Sequence, residues 1–403
     1  MKSKNLVLFA LVLSVLFLPA ILGTIPLRAA ANAPENASSI SQIHMLDASS
    51  GWAWSTGLAG RQLLLRTSDG GETWKDVMPR GFSCEDGFFL DGDTAWVTSF
   101  DPVTSARGLL RTTDGGESWT VMVNLGAAPS LGKFECHFDN MADGWVTTAD
   151  YGAGSFYCRF FDTHDGGVTW NPVPIVPPGT VSEANTPRGE IHLCSICGDG
   201  INYYPPSTVI ISYGDLGDEQ PKSAVRLALT TNLGKTWRDL RLPLPEKYRD
   251  GLAQPYSPVF FNEKSALLPV RVTKQNTNDT YDCSVLVFYA TDDGSSAWAA
   301  KPGMIEFKDP LFCGDVDVVS ANDVFVRSGQ NLCVSHDGVE SWQTVQPNID
   351  IGREGSKRSL SQMDFVDAAH GWMVIHDDGT NEPNGANYLY QTTDGGATWR
   401  ELP

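Results

Sequence analysis

Six acidic or imidazole side chains in this sequence are of types that could do chemistry. They are Glu85, Glu135, His137, His192, Asp315 and Asp364. Two carboxylates at a suitable separation can cleave a glycosidic bond, one as the acid and the other as base or nucleophile. Imidazole and carboxylate groups together can also bind a cation or hydrogen-bond a sugar. The plainer interpretation is a solvated polar lining, so residue type alone assigns no catalytic, cofactor-binding or metal-ligating residue.

These six residues meet only if distant segments come together, and an eight-residue repeat indicates that they do. Thr112 to Trp119 reads TTDGGESW, and three further copies keep its pattern of Thr-x-Asp-Gly-Gly-x-Ser/Thr-Trp. Three weaker copies keep the length but change one or two residues of the pattern. The central acidic or amide residues are Asp69, Asp114, Asp165, Asn232, Asp293, Asp337 and Asp394. The closing residues are Trp74, Trp119, Trp170, Trp237, Trp298, Trp342 and Trp399.

The residue types of this repeat predict a tight turn rather than a reactive site. An Asp side chain can accept hydrogen bonds from the backbone N–H groups that follow it. Gly adopts the positive φ angles that such a turn requires. Trp buries a large apolar area where the next strand begins. We therefore interpret the seven Asp or Asn residues and their Trp partners as structural.

Six of the seven Asp turns follow a second pattern, in which an apolar strand, a polar turn and another strand succeed one another. Examples are DASSGWAW at 47–54 and FVDAAHGWMV at 365–374. The fourth unit has no clear copy, and residues 207–212 take the strand position there. One unit is then strand A, turn, strand B, loop, strand C, Asp turn and strand D. Successive motif positions are 45, 51, 67, 61, 44 and 57 residues apart, a spacing typical of propeller blades. The sequence predicts an all-β fold over residues 42–403, a seven-bladed β-propeller of four-stranded antiparallel blades.

This pattern also predicts where a binding surface would lie. The A–B and Asp turns are short and share one face, whereas the B–C and D–A connections share the other. Long excursions fall on that second face, at 99–108, 171–190, 213–223, 273–281 and 376–387. We expect the inner strands to start there and to bring the six candidate residues to the mouth of a central channel. Loops on a rigid scaffold commonly carry binding.

The N-terminus predicts export. Lys2 and Lys4 precede an apolar run from Leu6 to Leu18, and 29–31 offers three small residues for cleavage. This arrangement is typical of a secretory signal peptide. The alternative is that residues 1–31 remain as an N-terminal anchor, because the apolar run is nearly long enough to span a bilayer. Residues 32–41 form a short polar lead-in.

The acidic composition excludes one class of partner. The formal net charge is −19, and removing the three cations of the leader leaves −22. Such a surface repels nucleic acid and anionic lipid. We expect a secreted or extracytoplasmic monomer with a protein or glycan partner, no nucleic acid partner and no membrane contact beyond the N-terminal segment.

All eight cysteines follow the leader, and an even number in an exported chain predicts disulfides, for which 105 pairings exist. They are Cys84, Cys136, Cys158, Cys194, Cys197, Cys283, Cys313 and Cys333. Cys136 with Cys158, and Cys313 with Cys333, occupy similar places in the third and sixth units. The alternatives are free buried thiols and metal or redox work, and the CxxC at 194–197 has no second pair at zinc spacing, which makes metal binding the weaker interpretation.

The Asp turns resemble the Asp box of bacterial neuraminidase repeats, which occurs in sialidases, sortilin-type receptors and xyloglucanases. The paired GW and TxDGGxTW units are most similar to the photosystem II assembly or stability factor family of seven-bladed propellers and its bacterial relatives. This resemblance covers nearly all of residues 42–403 and implies the fold more than an activity. Sialidases of this fold carry a Phe/Tyr-Arg-Ile-Pro motif and the assembly factors an arginine patch, and this sequence has neither.

We therefore expect an exported, non-catalytic propeller that binds a protein or glycan partner through its loop-rich face, in a scaffold, assembly or recognition role. The alternative is a secreted carbohydrate-active hydrolase, sialidase-like or another glycosidase, that uses carboxylates at the channel mouth. Two carboxylates about 5–10 Å apart in a substrate-sized pocket would favour the alternative. A broad and shallow loop face would favour binding.

Overall fold

The computed structural model describes most of the chain, and nearly all of its regular structure is short β-strand. The described residues are 27–28, 40–57, 61–100, 107–126, 131–152, 155–173, 190–193, 201–204, 207–212, 224–233, 235–262, 264–275, 281–294, 297–307, 313–352, 355–380 and 385–403. Most of the predicted leader, the CxxC and the interiors of the five excursions lie outside these ranges. Within them one 3₁₀ helix occurs, at Glu246–Tyr248. No helix there is long and apolar enough to cross a membrane.

The strands form seven antiparallel sheets, and this confirms the predicted seven-bladed propeller. Strands are numbered in chain order, and β1 is Leu27–Arg28. Blade 1 contains β2 (Ile40–Met45), β3 (Gly51–Thr56), β4 (Gln62–Thr67) and β5 (Lys75–Asp76). Blade 2 contains β6 (Ser83–Phe89), β7 (Ala95–Phe100), β8 (Arg107–Thr112) and β9 (Ser118–Gly126). Blade 3 contains β10 (Leu131–Phe138), β11 (Gly144–Gly152), β12 (Ser155–Thr163), β13 (Asn171–Val173) and β14 (Glu190–Leu193).

The remaining four blades repeat this order. Blade 4 contains β15 (Ile201–Tyr204), β16 (Thr208–Ser212), β17 (Ala224–Thr230) and β18 (Arg238–Pro243). Blade 5 contains β19 (Leu252–Pro255), β20 (Val259–Phe260), β21 (Ala266–Gln275), β22 (Tyr281–Thr291), β23 (Ala299–Ala300) and β24 (Ile305–Glu306). Blade 6 contains β25 (Cys313–Val318), β26 (Val324–Ser328), β27 (Asn331–Ser335) and β28 (Gln343–Val345). Blade 7 contains β29 (Arg358–Phe365), β30 (Gly371–Asp377), β31 (Ala386–Thr392) and β32 (Arg400–Glu401).

Three blades depart from the simple order of four strands. In blade 5 the first strand is split into β19 and β20, which both pair with β21, and the last into β23 and β24, which both pair with β22. In blade 3, β14 pairs with β12 beyond the short β13. In blade 2, β1 adds a two-residue strand to the outer edge of β9.

The core lies between blades, because each blade packs both of its faces against its neighbours. Ile43 and Leu65 of blade 1 pack in one buried cluster with Val374 and Leu389 of blade 7. The opposite face of blade 1 packs on blade 2 in another cluster that contains Trp119. A four-stranded sheet buries too little area alone, so the ring is the stable unit.

The first strands of neighbouring blades lie side by side, β2 beside β29 and β25 beside β29, which places them around the central axis. Apart from β1, which joins blade 2, the strands of each described blade follow one another in the chain, and no described strand is exchanged between blades 1 and 7. The ring closes through side chains instead. The Gln362 amide accepts from Ile43 N at 2.8 Å and donates to Ile43 O at 2.7 Å.

Candidate functional site

The Asp boxes of blades 1, 2, 3, 6 and 7 are closed by the same small set of hydrogen bonds. In blade 2, Asp114 Oδ1 accepts from the Ser118 backbone N–H at 2.9 Å, and Asp114 Oδ2 accepts from Ser118 Oγ at 2.6 Å. Thr112 Oγ1 donates to Asp114 Oδ1 at 2.8 Å and accepts from Gly116 N at 2.9 Å. Gly115 and Gly116 have φ angles of 68° and 82°, which explains the glycines at these positions.

The Asp boxes are joined to the A–B turns of their own blades by one bond that recurs in all seven. The residue after the central Asp or Asn donates its N–H to a carbonyl of the A–B turn, as Gly70 does to Ser49 O at 2.7 Å and Gly395 does to Ala369 O at 2.9 Å. The corresponding donors in the other five blades are Gly115, Gly166, Leu233, Gly294 and Gly338. This places both kinds of turn on one face, as predicted.

The carboxylates of these turns are stabilised in their charged form. The hydroxyl and N–H of Ser341, assisted by the Ser335 hydroxyl, lower the pKa of Asp337 to about 2. At Asp114 partial burial raises the pKa, but the hydrogen bonds from Ser118 and Thr112 outweigh it, so the net direction is downward. A carboxylate whose lone pairs are engaged by its own turn is poorly suited to proton transfer or ligand binding.

The roles of two groups of structural residues were not predicted from the sequence. One is the Trp near the start of strand B, which bonds to the next blade: Trp96 Nε1 donates to Gly166 O at 3.0 Å, and Trp372 Nε1 donates to Gly70 O at 2.9 Å. The other is the cap of the A–B turn, where Asp47 Oδ1 accepts from two following N–H groups. A GW pair after a polar turn was the available signal for the first group.

The structure spreads the six predicted site residues over several depths and does not gather them at one mouth. His137 and Asp364 are each the last residue but one of an inner strand, next to the A–B turn and therefore at the Asp-box end of the channel. Glu85 and Asp315 lie earlier in β6 and β25, and Glu135 lies in β10, two residues before His137.

His192 does not lie on an inner strand as the sequence reasoning assumed. It belongs to β14, whose residues pair with β12 in blade 3, so that His192 lies opposite Tyr157. The inner strand of blade 4 is β15 instead. The 67 residues between Asp165 and Asn232 include an added segment. The sequence alone does not indicate whether this segment joins blade 3 or blade 4, so the strand that contains His192 was assigned to the wrong blade.

Asp315 and His137 have partners that explain their positions. Asp315 Oδ2 lies 3.3 Å from Arg327 Nη1, and the Arg327 guanidinium, 5% exposed, also donates to Gly352 O at 2.6 Å. His137 packs against Trp145, with ring centroids 5.5 Å apart, and its Nε2 lies 3.5 Å from Asp139 Oδ1. The His137 ring also lies 4.5 Å from the Phe88 ring of blade 2, so both residues have structural roles.

Asp364 forms a bridge between blades, together with a residue that sequence reasoning missed. Asp364 Oδ2 accepts from Met45 N of blade 1 at 2.7 Å, and Asp317 Oδ2 accepts from Phe365 N of blade 7 at 2.6 Å. Both side chains are half-buried. Burial raises the pKa of Asp364 to about 6. Burial, with a smaller contribution from the charge of Asp364, raises the pKa of Asp317 to about 7 against the opposing bond from Phe365.

The loop-rich end of blade 7 carries a different kind of cluster. Arg358 Nε donates to Asp377 Oδ2 at 2.8 Å, and its guanidinium lies 5.7 Å from the centre of the Tyr388 ring. The Arg358 side chain remains 33% exposed. Beside it, His376 Nε2 lies 3.0 Å from the exposed Asp378 carboxylate. Exposed planar and aromatic groups therefore meet at this end of the blade.

The expected disulfides are not present among the described cysteines. Cys84, Cys136 and Cys333 form no disulfide, so the expectation that most of the cysteines are oxidised is not shown among the described residues. Cys136 and Cys158 lie on β10 and β12, on either side of β11, and Cys313 and Cys333 flank β26 in the same way. Two strand spacings, roughly 9–10 Å, exceed the reach of a disulfide.

The described residues contain no group of three or more His, Cys, Asp or Glu side chains that could hold a metal ion. No protein-family model matches the chain. No curated protein matches it at a significant level. The comparisons therefore give no support to the finer resemblance to photosystem II assembly factors.

Solved structures match at the level of the fold. A polysaccharide lyase, an ulvan lyase, has a TM-score of 0.50 at 12% identity, covering 94% of this chain and 98% of its own. An acylaminoacyl peptidase from Pyrococcus horikoshii has a TM-score of 0.51 at 9% identity, covering 91% of this chain and 52% of its own. The NanB sialidase from Streptococcus pneumoniae has a TM-score of 0.32 at 10% identity, covering 92% and 87%.

Most of the similar structures are carbohydrate-active enzymes, and the acylaminoacyl peptidase is an exception. At identities this low the likeness shows the propeller fold alone. The TM-score of the sialidase is too low to carry any argument about residues or activity.

Proposed function

We propose that this chain is an exported, non-catalytic propeller that binds a glycan or protein partner through its loop-rich face. The observation that carries this proposal is the difference between the two ends of the ring. At the Asp-box end the turn carboxylates serve the scaffold, as Asp114 does for Ser118. At the other end of blade 7, Arg358 and Tyr388 present a partly exposed guanidinium beside an aromatic ring.

The chemistry of the second end suits a polar ligand with an apolar face. An aromatic ring can pack against the C–H face of a sugar or against a side chain of a peptide. Guanidinium, imidazole and carboxylate groups placed around it, here Arg358, His376 and Asp378, supply hydrogen bonds that fix orientation. Since the matched ulvan lyase was solved bound to -[GlcA(1-4)Rha3S]-, saccharides are the ligand class to test first.

The proposal also includes that the protein is exported and is a monomer. The signal-like leader and the net charge of −19 support a role outside the cytoplasm. A strongly acidic surface favours solubility and disfavours self-association.

The test combines a glycan array with a pull-down from the native secretome, followed by titration of whatever binds. Arg358→Gln and Tyr388→Ala are expected to weaken binding about tenfold or more, because they remove a bidentate donor and an aromatic platform. Val168→Ala is the matched control, since Val168 is 60% exposed on the Asp-box face. Binding lost in Val168→Ala and kept in the other two would overturn the proposal.

Glu72 and Glu117 would be poor controls, although both lie in Asp boxes and are partly exposed. Glu72 pairs with Arg400 of blade 7 at 2.6 Å, and Glu117 pairs with Lys75 of blade 1. Substituting either would disturb a contact between blades and confuse a loss of binding with a change in the ring.

A second candidate is a carbohydrate-active hydrolase, and one observation favours it. Asp317 and Asp364 both have a raised pKa, and a carboxyl protonated near neutral pH is what a general acid requires. Each carboxyl already accepts a backbone N–H from the next blade, which favours the structural role. Reducing ends released from polysaccharides by the wild type and not by Asp364→Asn would establish the hydrolase instead.

A further inference from the structure

We infer that proton binding by Asp317 and Asp364 sets the strength of the seam between blades 6, 7 and 1, which is tightest when both carboxyls are neutral. This inference concerns the closure of the ring and does not depend on what the loop-rich face binds.

The seam is built differently from the other blade boundaries. One position of strand A, two residues before the first N–H donor of the A–B turn, is compared between blades. It is occupied by Asp317 in blade 6, Asp364 in blade 7 and His44 in blade 1. In blades 6 and 7 this residue reaches a backbone N–H of the next inner strand, at 2.6 and 2.7 Å. In blade 1 the His44 ring instead meets Phe89 of blade 2, with centroids 5.5 Å apart.

Because Asp317 and Asp364 are carboxyls, the contacts that they make with the inner strand of the next blade depend on pH. Another polar crossing, by the Gln362 amide to Ile43, is neutral at all pH values. The Arg400–Glu72 ion pair also joins blades 7 and 1, but at the outer strand of blade 7 rather than at the inner strands. Asp317 bonds to the residue that follows Asp364, so the two carboxyls belong to one connected stretch of seam. Each loses solvation on entering the seam, and loss of solvation disfavours the charged form.

The cations near these carboxyls are committed to other partners. Arg327 of β26 bonds to Asp315 and Gly352 O, Arg271 of β21 bonds to Gln254, and Arg358 of β29 bonds to Asp377. The other titratable groups on described strands packed against β25 and β29 are His44 of β2, His376 and Asp377 of β30, Lys274 of β21, and Tyr281, Asp282, Cys283 and Tyr289 of β22. Lys274 pairs with Asp250 at 2.9 Å. His376 is occupied by Asn387 and Asp378, and Tyr289 by Pro243 O.

His44 is the remaining group that could offset the negative charges of Asp317 and Asp364, but its ring carries no positive charge near neutral pH. Burial lowers its pKa, so the ring is neutral near pH 7. The seam therefore holds two carboxyls whose negative charges meet no described cation. Ionising both brings two like charges into a poorly solvated boundary, where repulsion is weakly screened.

The direction of the effect follows from linkage. Both carboxyls have a folded-state pKa above the ordinary value of 3.8, about 6 for Asp364 and about 7 for Asp317. Such groups contribute stability that is complete below about pH 4 and is lost as the pH rises through 6 to 7. The ring is therefore expected to close less firmly at pH 8 than at pH 5.

The first test measures the melting temperature of wild type, Asp317→Asn, Asp364→Asn and the double variant at pH 5 and pH 8, at one ionic strength. Asn keeps an oxygen that can accept the N–H and cannot ionise. The melting temperature of the double variant minus that of the wild type is expected to be several degrees larger at pH 8 than at pH 5. Gln362→Ala is the matched control and should lower the melting temperature equally at both pH values. An equal difference between double variant and wild type at both pH values overturns the inference.

A second test needs no substitution and covers the case in which Asn variants fold poorly. Amide hydrogen exchange at Phe365 and Met45 is measured in the wild type at pH 5 and pH 8 and corrected for intrinsic exchange. Protection of these two amides is expected to fall about tenfold at pH 8 relative to Val97, an amide inside blade 2. The same relative protection at both pH values would show that the seam does not respond to protons.

Discussion

At the residue scale, one amino acid serves two opposite purposes in this propeller. The turn aspartates, such as Asp114 and Asp337, are held in the charged form by hydroxyl and N–H donors. The seam aspartates, Asp317 and Asp364, are pushed towards the neutral form by burial. The difference comes from burial and from the number of donors. The turn carboxylates are exposed and accept several hydrogen bonds, whereas the seam carboxyls are half-buried in inner strands and each accepts one backbone N–H from the next blade.

Replacing Asp114 by Ala is expected to destabilise the protein without altering its ligand specificity. The change removes the acceptor for two bonds from Ser118 and one from Thr112. The cost should be about 1–3 kcal/mol in the free energy of unfolding, measured by urea titration. Unchanged stability together with lost ligand binding would contradict the structural role of the turn.

Ser118→Ala is the graded control for that experiment. It removes only the Oγ bond at 2.6 Å and reproduces the turn of blade 5, where Ala297 occupies this position and donates only its N–H to Asp293. The expected cost is about 0.5–1.5 kcal/mol, smaller than that of Asp114→Ala.

At the element scale, contacts between blades are made at fixed positions of each unit. The last residue of strand A packs on an aromatic ring of the preceding blade: Phe138 stacks on Trp96 at 3.7 Å, and Phe365 stacks on Phe325 at 3.6 Å. The indole of Trp96 adds a hydrogen bond to Gly166 O. Stacking therefore sets the spacing of blades, and the indole bond fixes their register.

Trp96→Phe separates these two contributions. Blade 6 already has Phe325 at the corresponding position, stacked in the same way, so the fold accepts a phenyl ring there. The variant should lose about 1–3 kcal/mol, because Gly166 O is left in a buried place without its donor. A loss below about 0.5 kcal/mol in urea unfolding would show that the indole bond contributes little.

Sequence reasoning recovered what lies inside a unit. Asp turns, strand order, blade number and the shared face of the two short turns follow from local patterns such as TTDGGESW. It did not recover what joins units: Asp317, the bond of Trp96 and the placement of His192 in blade 3. Those contacts depend on how the ring closes, and no local spacing encodes the distance between residues of different blades.

At the scale of the whole molecule, the two classes of aspartate predict a stability maximum at mildly acidic pH. Turn aspartates with a lowered pKa contribute stability above about pH 4 that is lost as the pH falls towards 2, the value for Asp337. The seam carboxyls lose theirs as the pH rises through 6 to 7. The melting temperature should therefore peak between about pH 4 and 6.

Salt distinguishes this seam effect from general repulsion in a chain of net charge −19. Adding salt at pH 8 should recover the part due to exposed charges and leave most of the part due to Asp317 and Asp364. A melting temperature that rises steadily from pH 4 to pH 8 would contradict the predicted maximum.

Closure through side chains has a consequence for how the protein is made. Ile43 finds its partner Gln362 only 319 residues later in the chain. At about 5–20 residues per second, the first blade waits roughly 15–65 seconds for the last to be synthesised. During that interval the face carrying Ile43, Met45 and Leu65 has nothing to cover it. The nascent chain therefore exposes this apolar surface for a time set by the rate of translation. A chaperone that prevents aggregation would be needed while blade 1 is being made, before blade 7 exists.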